Sequence, residues 1–172
     1  MKQDELRAAQ APLKERYRSE PDAAMITLKA EGRIGESVTC NIQTGRALVE
    51  AGLHPATGGG GTSVCSGDML LEALAACAGV TLSAVATSIG VELRGGTVRA
   101  EGDLDFRGTL GVAKDVPVGF QRIRLEFALD TDASAEQLAT LSRLTERYCV
   151  VYQTLRQSPT LSLSACVQPA TP

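Results

Sequence analysis

Five cysteines, at positions 40, 65, 77, 149 and 166, are the side chains of this chain best suited to covalent chemistry. A thiolate is a nucleophile, a metal ligand and a redox centre, whereas a buried neutral thiol behaves as a small hydrophobe. Spacing separates some of these uses. The five contain no Cys-x-x-Cys and no paired zinc spacing. A zinc site built from Cys65, His54 and another cysteine has no ligand pair at helical or knuckle spacing. Cys77 lies in LLEALAACAGVT and Cys149 in LTERYCVVYQTL. Each fits either a packed small hydrophobe or a reactive thiol, and neither segment shows that the two meet. Cys65 stands just before Ser66 at an expected helix N-terminus, where the helix dipole lowers a thiol pKa. It is a redox-active thiol or a bystander.

Other residue types add less. Glu72 sits in an apolar helical pattern five residues before Cys77, and a buried acid there needs a partner to stay charged. It faces either a pocket or a second chain. His54 is the only histidine, in a Gly/Pro loop that suits an exposed residue or a lid element better than a catalytic base. Gly58 to Gly61 precede a helix, but no Lys-Ser/Thr follows and the dinucleotide spacing is missing, so nucleotide binding is not indicated.

The elements that must position these residues follow from periodicity. Residues 3–19 read as a helix interrupted at Pro12, whose ring cannot continue the preceding turn. Met25 to Glu31 and Ser37 to Thr44 read as strands around a turn near Gly32–Gly35. In the second, Val38, Cys40 and Ile42 alternate with polar residues, which puts Cys40 on a half-buried face. A further strand covers Arg46 to Glu50. Ser66 is an N-cap candidate, with Asp68 in the first turn. That helix runs to Ile89 and stops at Gly90; apolar on nearly all sides, it belongs in an interior. Strands follow from Gly96 to Gly108 and Gln121 to Leu129. Ser134 and Gln137 form a capping box for a helix over Ala135–Cys149. A turn or short helix holds Val150 to Gln157, and Leu161 to Val167 alternates as a final strand. The order predicts an α+β protein with antiparallel strands. Residues 1–20 form a helical extension and 21–172 one domain.

Composition excludes whole classes. Hydrophobic residues are 44% and charged residues 22%, as in ordinary globular chains. With 17 Lys+Arg against 20 Asp+Glu and a pI near 5.2, there is no electrostatic footprint for nucleic acid or an anionic membrane. Aromatics at 3%, without Trp, provide no platform for stacking bases. The charge-free run Ala73–Val91 is 19 residues long, enough to span a bilayer, but Ala, Gly, Ser and Thr dominate it and it lacks basic or aromatic flanks. It reads as a helix inside a soluble protein. The charged N-terminal stretch MKQDELRAAQAPLKERYRSE is unlike a secretory signal, and an odd cysteine count suits a reducing cytoplasm.

One resemblance joins these pieces. GDMLLEALAACAGVTLSAVATSIGV resembles the signature helix of the OsmC/Ohr family, in which an acidic residue and paired leucines precede Ala-Leu-Ala-x-Cys. ERYCVVYQTL resembles that family's second cysteine segment, usually Cys-Pro before a short helix; here Val150 follows Cys149. GTVRAEGDLDFRG and the strand Gly119–Leu129 match its central strands, and the likeness extends from Met25 to Val167.

The resemblance implies antiparallel sheets wrapped around two central cysteine-bearing helices in an intertwined homodimer, with both cysteines close together at the dimer interface. It implies reduction of organic hydroperoxides without a cofactor, Cys77 attacking and Cys149 resolving through a Cys77–Cys149 disulfide. An external dithiol, of the lipoyl type that serves some relatives, would restore the thiols. The family's activating pair is an early Arg and a Glu upstream of the first cysteine. Arg33, in Glu-Gly-Arg-Ile-Gly, matches the Arg, with Arg46 as the alternative. The usual Glu position is Gly67; its neighbour Asp68 carries the acid instead, or serves only as an N-terminal helix charge. Two other functions use the same residues: a dimeric binding protein with a cysteine-lined apolar pocket, or a redox sensor switched by the disulfide.

Overall fold

The computed structural model describes residues 2–5, 8, 10–11, 19, 32–34, 39–44, 47–111 and 113–167, with the backbone alone for 32–34, 39–44 and 47. The expected strand Met25–Glu31 and most of the expected N-terminal helix lie outside these residues. Positions 3–5, 8, 10 and 11 are helical.

Four strands make the first sheet, in the order β1 (Gly32–Ile34), β2 (Thr39–Thr44), β3 (Ala47–Gly52) and β4 (Val64–Cys65). The polar–apolar alternation that predicted β2 is realised as an antiparallel pairing with β3, Cys40 opposite Ala51. The expected turn near Gly32–Gly35 is instead β1, with Arg33 opposite Asn41, because β2 offers it a second edge. The sheet also departs from the antiparallel expectation at β4, which pairs in parallel with β3. Residues 53–63 return the chain to the starting end, as a parallel pair requires.

Helix α1 (Ser66–Ile89) begins one residue from the expected cap. Cys65, not Ser66, holds the N-cap position, and its side chain makes no capping bond. Pairing of Cys65 with Gly52 keeps it extended, so the helix starts only at Ser66. Asp68 lies in the first turn as predicted. The helix ends at Gly90, whose φ of 73° lets its N–H reach the Ala86 and Thr87 carbonyls.

The second sheet is a pair, β5 (Gly95–Asp103) and β6 (Arg122–Asp130), antiparallel from Gly95↔Asp130 to Asp103↔Arg122. β5 stops short of Gly108 because the Asp105 carboxylate accepts the Arg107 N–H at 3.0 Å and starts the one-turn helix α2 (Phe106–Thr109). Helix α3 (Ala135–Tyr148) carries the predicted capping box: Ser134 Oγ accepts the Gln137 N–H at 3.2 Å, and Gln137 Oε1 accepts the Ser134 N–H at 2.9 Å. Helix α4 (Val150–Arg156) follows after Cys149.

The core lies where the C-terminal half of α1 meets α3 and the second sheet. Leu82, Val85, Ala86, Val91 and Leu141 are buried together, with Phe127, Leu129 and Leu144 packed against them. A Cβ on Gly79 would lie 3.3 Å from Val98 Cγ2, so this glycine permits close contact of α1 with β5. By length and composition α1 could cross a membrane, yet Leu74, Ala78, Leu82, Val85 and Ala86 form a buried face within the protein. The opposite face, with Glu72, Ala73, Ala76, Val80 and Ser83, is exposed, Val80 to 73%. The expectation of burial on all sides therefore fails within one chain, which provides neighbours for one face only. Glu72 consequently needs no buried partner. Tyr148, expected on the apolar stripe of α3, is also exposed.

No strand forms at the expected Leu161–Val167 among the described residues. Leu161, Leu163 and Val167 are 82%, 98% and 95% exposed. Their alternation suits a strand, but no sheet edge among the described residues meets it.

Candidate functional site

Cys77 lies in the middle of α1. Cys149 occupies the corner between α3 and α4, capping the end of one and the start of the other. Its φ of −72° and ψ of 109° are extended, so the helical path breaks there. Its N–H still bonds to the Thr145 carbonyl, and its carbonyl accepts the Gln153 N–H, both at 2.9 Å. The break leaves the first amides of α4 without intrahelical partners, since the opening N–H groups of any helix have none. They turn toward the two sulfurs.

The Cys149 thiol donates to Cys77 Sγ across 3.4 Å. Cys149 is only 1% exposed and Cys77 is half-buried. Their acidities diverge. Burial pushes the Cys77 thiol up, but the Val151 N–H, the Cys149 thiol, the Val150 N–H and the Thr81 hydroxyl outweigh it and hold Cys77 below the ordinary thiol value. Burial also pushes Cys149 up. The Tyr152 and Val151 amides oppose this, while hydrogen bonding and charge from Cys77 add to it, so Cys149 stays above the ordinary value. Of the two thiols, Cys77 therefore gives up its proton more readily and Cys149 holds its own, and the more readily ionised sulfur is also the more accessible. A nucleophilic thiol beside a second thiol that keeps its proton would need this ordering of acidities.

Two cavities open on the same elements. One, of about 430 Å³, lies between Leu74 of α1, Phe120 and Ile123 of the second sheet region and Tyr152 of α4, with Gln121, Arg122 and Arg156 adding polar groups. A second, of about 440 Å³, is bordered by Cys149 itself with Arg147, Tyr148 and Val150.

Of the remaining candidates, Asp68 lies apart. Asp68 is exposed, nine residues before Cys77. That separation is roughly two and a half helical turns, so Asp68 projects from the opposite side of α1. The backbone of Arg33 is in β1, while its side chain and the whole of Arg46 lie outside the described residues, as does the side chain of Cys40. His54 has a local structural role: Nδ1 accepts the Ala56 N–H at 3.0 Å, and its ring stacks on Phe106 with centroids 4.9 Å apart. Among the described residues no group of three His, Cys, Asp or Glu is placed to hold a metal. Cys166 is exposed and Cys65 half-buried at the start of α1.

Sequence reasoning identified both cysteines but missed their immediate partners. Thr81 is visible in retrospect as Cys77-x-x-x-Thr81, one turn along the same helix. The amides of Val150 and Val151 carry no side-chain signal at all.

A family model described as OsmC-like protein matches residues 59–164, more than half of the chain. No curated protein matches it. Solved structures do. An OsmC-like protein from Mycoplasma pneumoniae superposes with a TM-score of 0.65 at 15% identity, covering 77% of this chain and 89% of its own. An organic hydroperoxide resistance protein OsmC from Legionella pneumophila gives 0.61 at 17% identity, covering 78% and 92%. The organic hydroperoxide resistance protein OhrB of Bacillus subtilis gives 0.54 at 20% identity, covering 78% and 94%. At these identities the structures establish a shared α+β fold.

Proposed function

Because the chain belongs to the OsmC-like family and sets a thiol poised for ionisation 3.4 Å from a second, protonated one, we propose that it is a cysteine-based peroxidase for organic hydroperoxides. The thiolate of Cys77 attacks the terminal oxygen of R–O–O–H. The O–O bond breaks, Cys77 becomes a sulfenic acid, and the departing alkoxide takes a proton to leave as R–OH. The Cys149 sulfur then attacks the sulfenic sulfur. A disulfide forms and the hydroxyl leaves as water, carrying the proton from Cys149. An external dithiol of the lipoyl type returns both thiols by exchange.

The single observation that carries this reading is the 3.4 Å approach of the two sulfurs, the accessible one held below and the buried one above the ordinary thiol value. The names of the Legionella and Bacillus proteins agree with it. The cavity beside Leu74 and Tyr152 is mixed: Phe120, Ile123 and Leu125 offer an apolar side for an organic group, and Gln121, Arg122 and Arg156 a polar one. Arg33 adds the cation that steadies the thiolate, with Arg46 as the alternative, while Asp68, on the opposite side of α1, serves as an N-terminal helix charge. The working molecule is a homodimer, and free thiols at working positions fit a reducing, cytoplasmic compartment.

The test is multi-turnover consumption of cumene hydroperoxide with dihydrolipoamide as reductant. Cys77→Ser should abolish it. Cys149→Ser should take one oxygen per chain, seen as a sulfenic acid by mass spectrometry, and then stall. The deep burial of Cys149 favours a second reading, a redox sensor whose disulfide is reduced slowly. One turnover followed by a stable disulfide in the wild type would select it.

A further inference from the structure

We propose that the N-terminal segment, α1 and α3 enclose a binding cavity for small uncharged organic molecules beside the cysteine pair, with Gln10 as one wall and Gln3 as the clasp that holds that wall in place. The last carbonyls of any helix have no intrahelical partner. Ser88 lies in the final turn of α1, and its carbonyl accepts the Gln3 side-chain Nε2 at 2.9 Å, across 85 positions of the chain. Gln3 and Gln10 are about two helical turns apart, so they share a face. Both are half-buried, while Lys2, Asp4, Glu5, Ala8 and Ala11 are exposed. The glutamine face is therefore the one laid on the protein.

The cavity behind Gln10 measures about 460 Å³, ample for a small molecule. Val80, Thr81 and Ala84 of α1 and Leu144 and Tyr148 of α3 form its other walls. The helices fix its place relative to the sulfurs: Thr81 is one turn beyond Cys77, and Tyr148 directly precedes Cys149. Charge sets this cavity apart. The two described above carry Arg122 and Arg156, or Arg147. Among the described residues, none that lines this one is charged. Arg147 lies over the Tyr148 ring, 5.4 Å from its centroid, but lines the other cavity. An ion would lose hydration here without gaining an opposite charge, so the cavity selects against ions. An apolar body can rest on Val80, Ala84 and Leu144, while the Gln10 amide and the Thr81 hydroxyl can pair with one hydroxyl-type end. The ligand class is an alcohol or hydroperoxide with a compact apolar body.

That the natural ligand is a hydroperoxide and its product alcohol rests on the peroxidase reading, but the test does not. The probe is 2-phenyl-2-propanol, the alcohol left by cumene hydroperoxide, titrated into the full-length protein and followed by NMR without peroxide. It should bind, and 4-isopropylbenzoate, an anion of similar size, should bind roughly tenfold more weakly. Ala84→Leu fills the cavity and should weaken the alcohol by roughly tenfold. Gln10→Glu keeps the shape of the wall and brings a charge to it; roughly fivefold weaker binding is expected, and this variant makes the same measurement if the leucine variant does not fold. Gln3→Ala removes the clasp and should cost about threefold, as for one neutral hydrogen bond. An alcohol that does not bind the wild type, a carboxylate that binds equally well, or wild-type affinity in both Ala84→Leu and Gln10→Glu overturns the proposal. Absence of turnover in the wild type, with these binding differences intact, would instead remove only the peroxidase reading.

Discussion

At the scale of single residues, the two cysteines separate by access and by proton. Cys77 should alkylate first as the pH is raised, below the ordinary thiol range near 8.5, and Cys149 only above it. Peptide-resolved labelling would show the order directly; Cys149 reacting first would reverse the roles assigned here. Stability follows the same groups with opposite signs. Cys77 is held below its unfolded value, so its stabilising contribution is present above that value and is lost as pH falls through the folded one. Cys149 is held above its unfolded value, so its contribution is complete below that value and is lost as pH rises through the folded one. Arg33 belongs to this scale as well. If its guanidinium supports the thiolate, Arg33→Met should slow peroxide reduction and raise the Cys77 midpoint, Arg46→Met should do less, and Asp68→Asn should have a small effect. Identical midpoints in Arg33→Met and wild type would leave the hydrogen-bond donors alone responsible.

At the scale of elements, the corner at Cys149 holds the site together. α3 supplies its register, fixed at one end by the Ser134–Gln137 capping box and inside by the fully buried Leu141. Leu141→Ala should cost about 2–5 kcal/mol in urea unfolding and speed Cys149 labelling, because the helix end then moves relative to α1. α4 supplies the amides. Val150 is its first residue, where proline is well tolerated, and the extended ψ of 109° at Cys149 suits a following proline. Val150→Pro should therefore preserve α4 while deleting one donor to Cys77. The expected result is unchanged far-UV circular dichroism with a raised Cys77 midpoint. A midpoint equal to wild type would show that the Val150 amide contributes nothing.

At the scale of the whole molecule, a single chain leaves apolar surface in specific places. Val80 and the exposed face of α1, together with Tyr148 and Val150, flank the cysteine pair, and Leu161, Leu163 and Val167 alternate along an unpaired segment. A two-stranded sheet is marginal by itself, and among the described residues no further strand pairs with β5 or β6. A second copy that adds strands to those edges and covers α1 accounts for all three, through an obligate interface of roughly 2,000 Å² or more. Light scattering should give twice the 18.0 kDa chain mass. Leu161→Lys with Leu163→Lys should shift the protein toward monomer and lower its thermal midpoint. A wild-type monomer at micromolar concentration would remove the dimer and confine the cysteine site to one chain.

Periodicity alone determined the helices and strands whose patterns are local. The Ser134–Gln137 capping box, the end of α1 at Gly90, the alternation in β2 and the three-residue steps of Leu138, Leu141 and Leu144 each depend on neighbours within a few residues, so they are readable before folding. The motif around Cys77 likewise carried the family. Contacts between distant parts of the chain were not readable. Cys77 and Cys149 are separated by 72 positions, and their 3.4 Å approach depends on α3 and α4 packing against α1. The Val150 and Val151 donors are backbone groups, identical in every residue but proline, so no side-chain pattern could announce them. Leu161–Val167 shows the converse. Its alternation is a strand pattern, but a strand exists only where an edge meets it, and pairing is decided by tertiary structure.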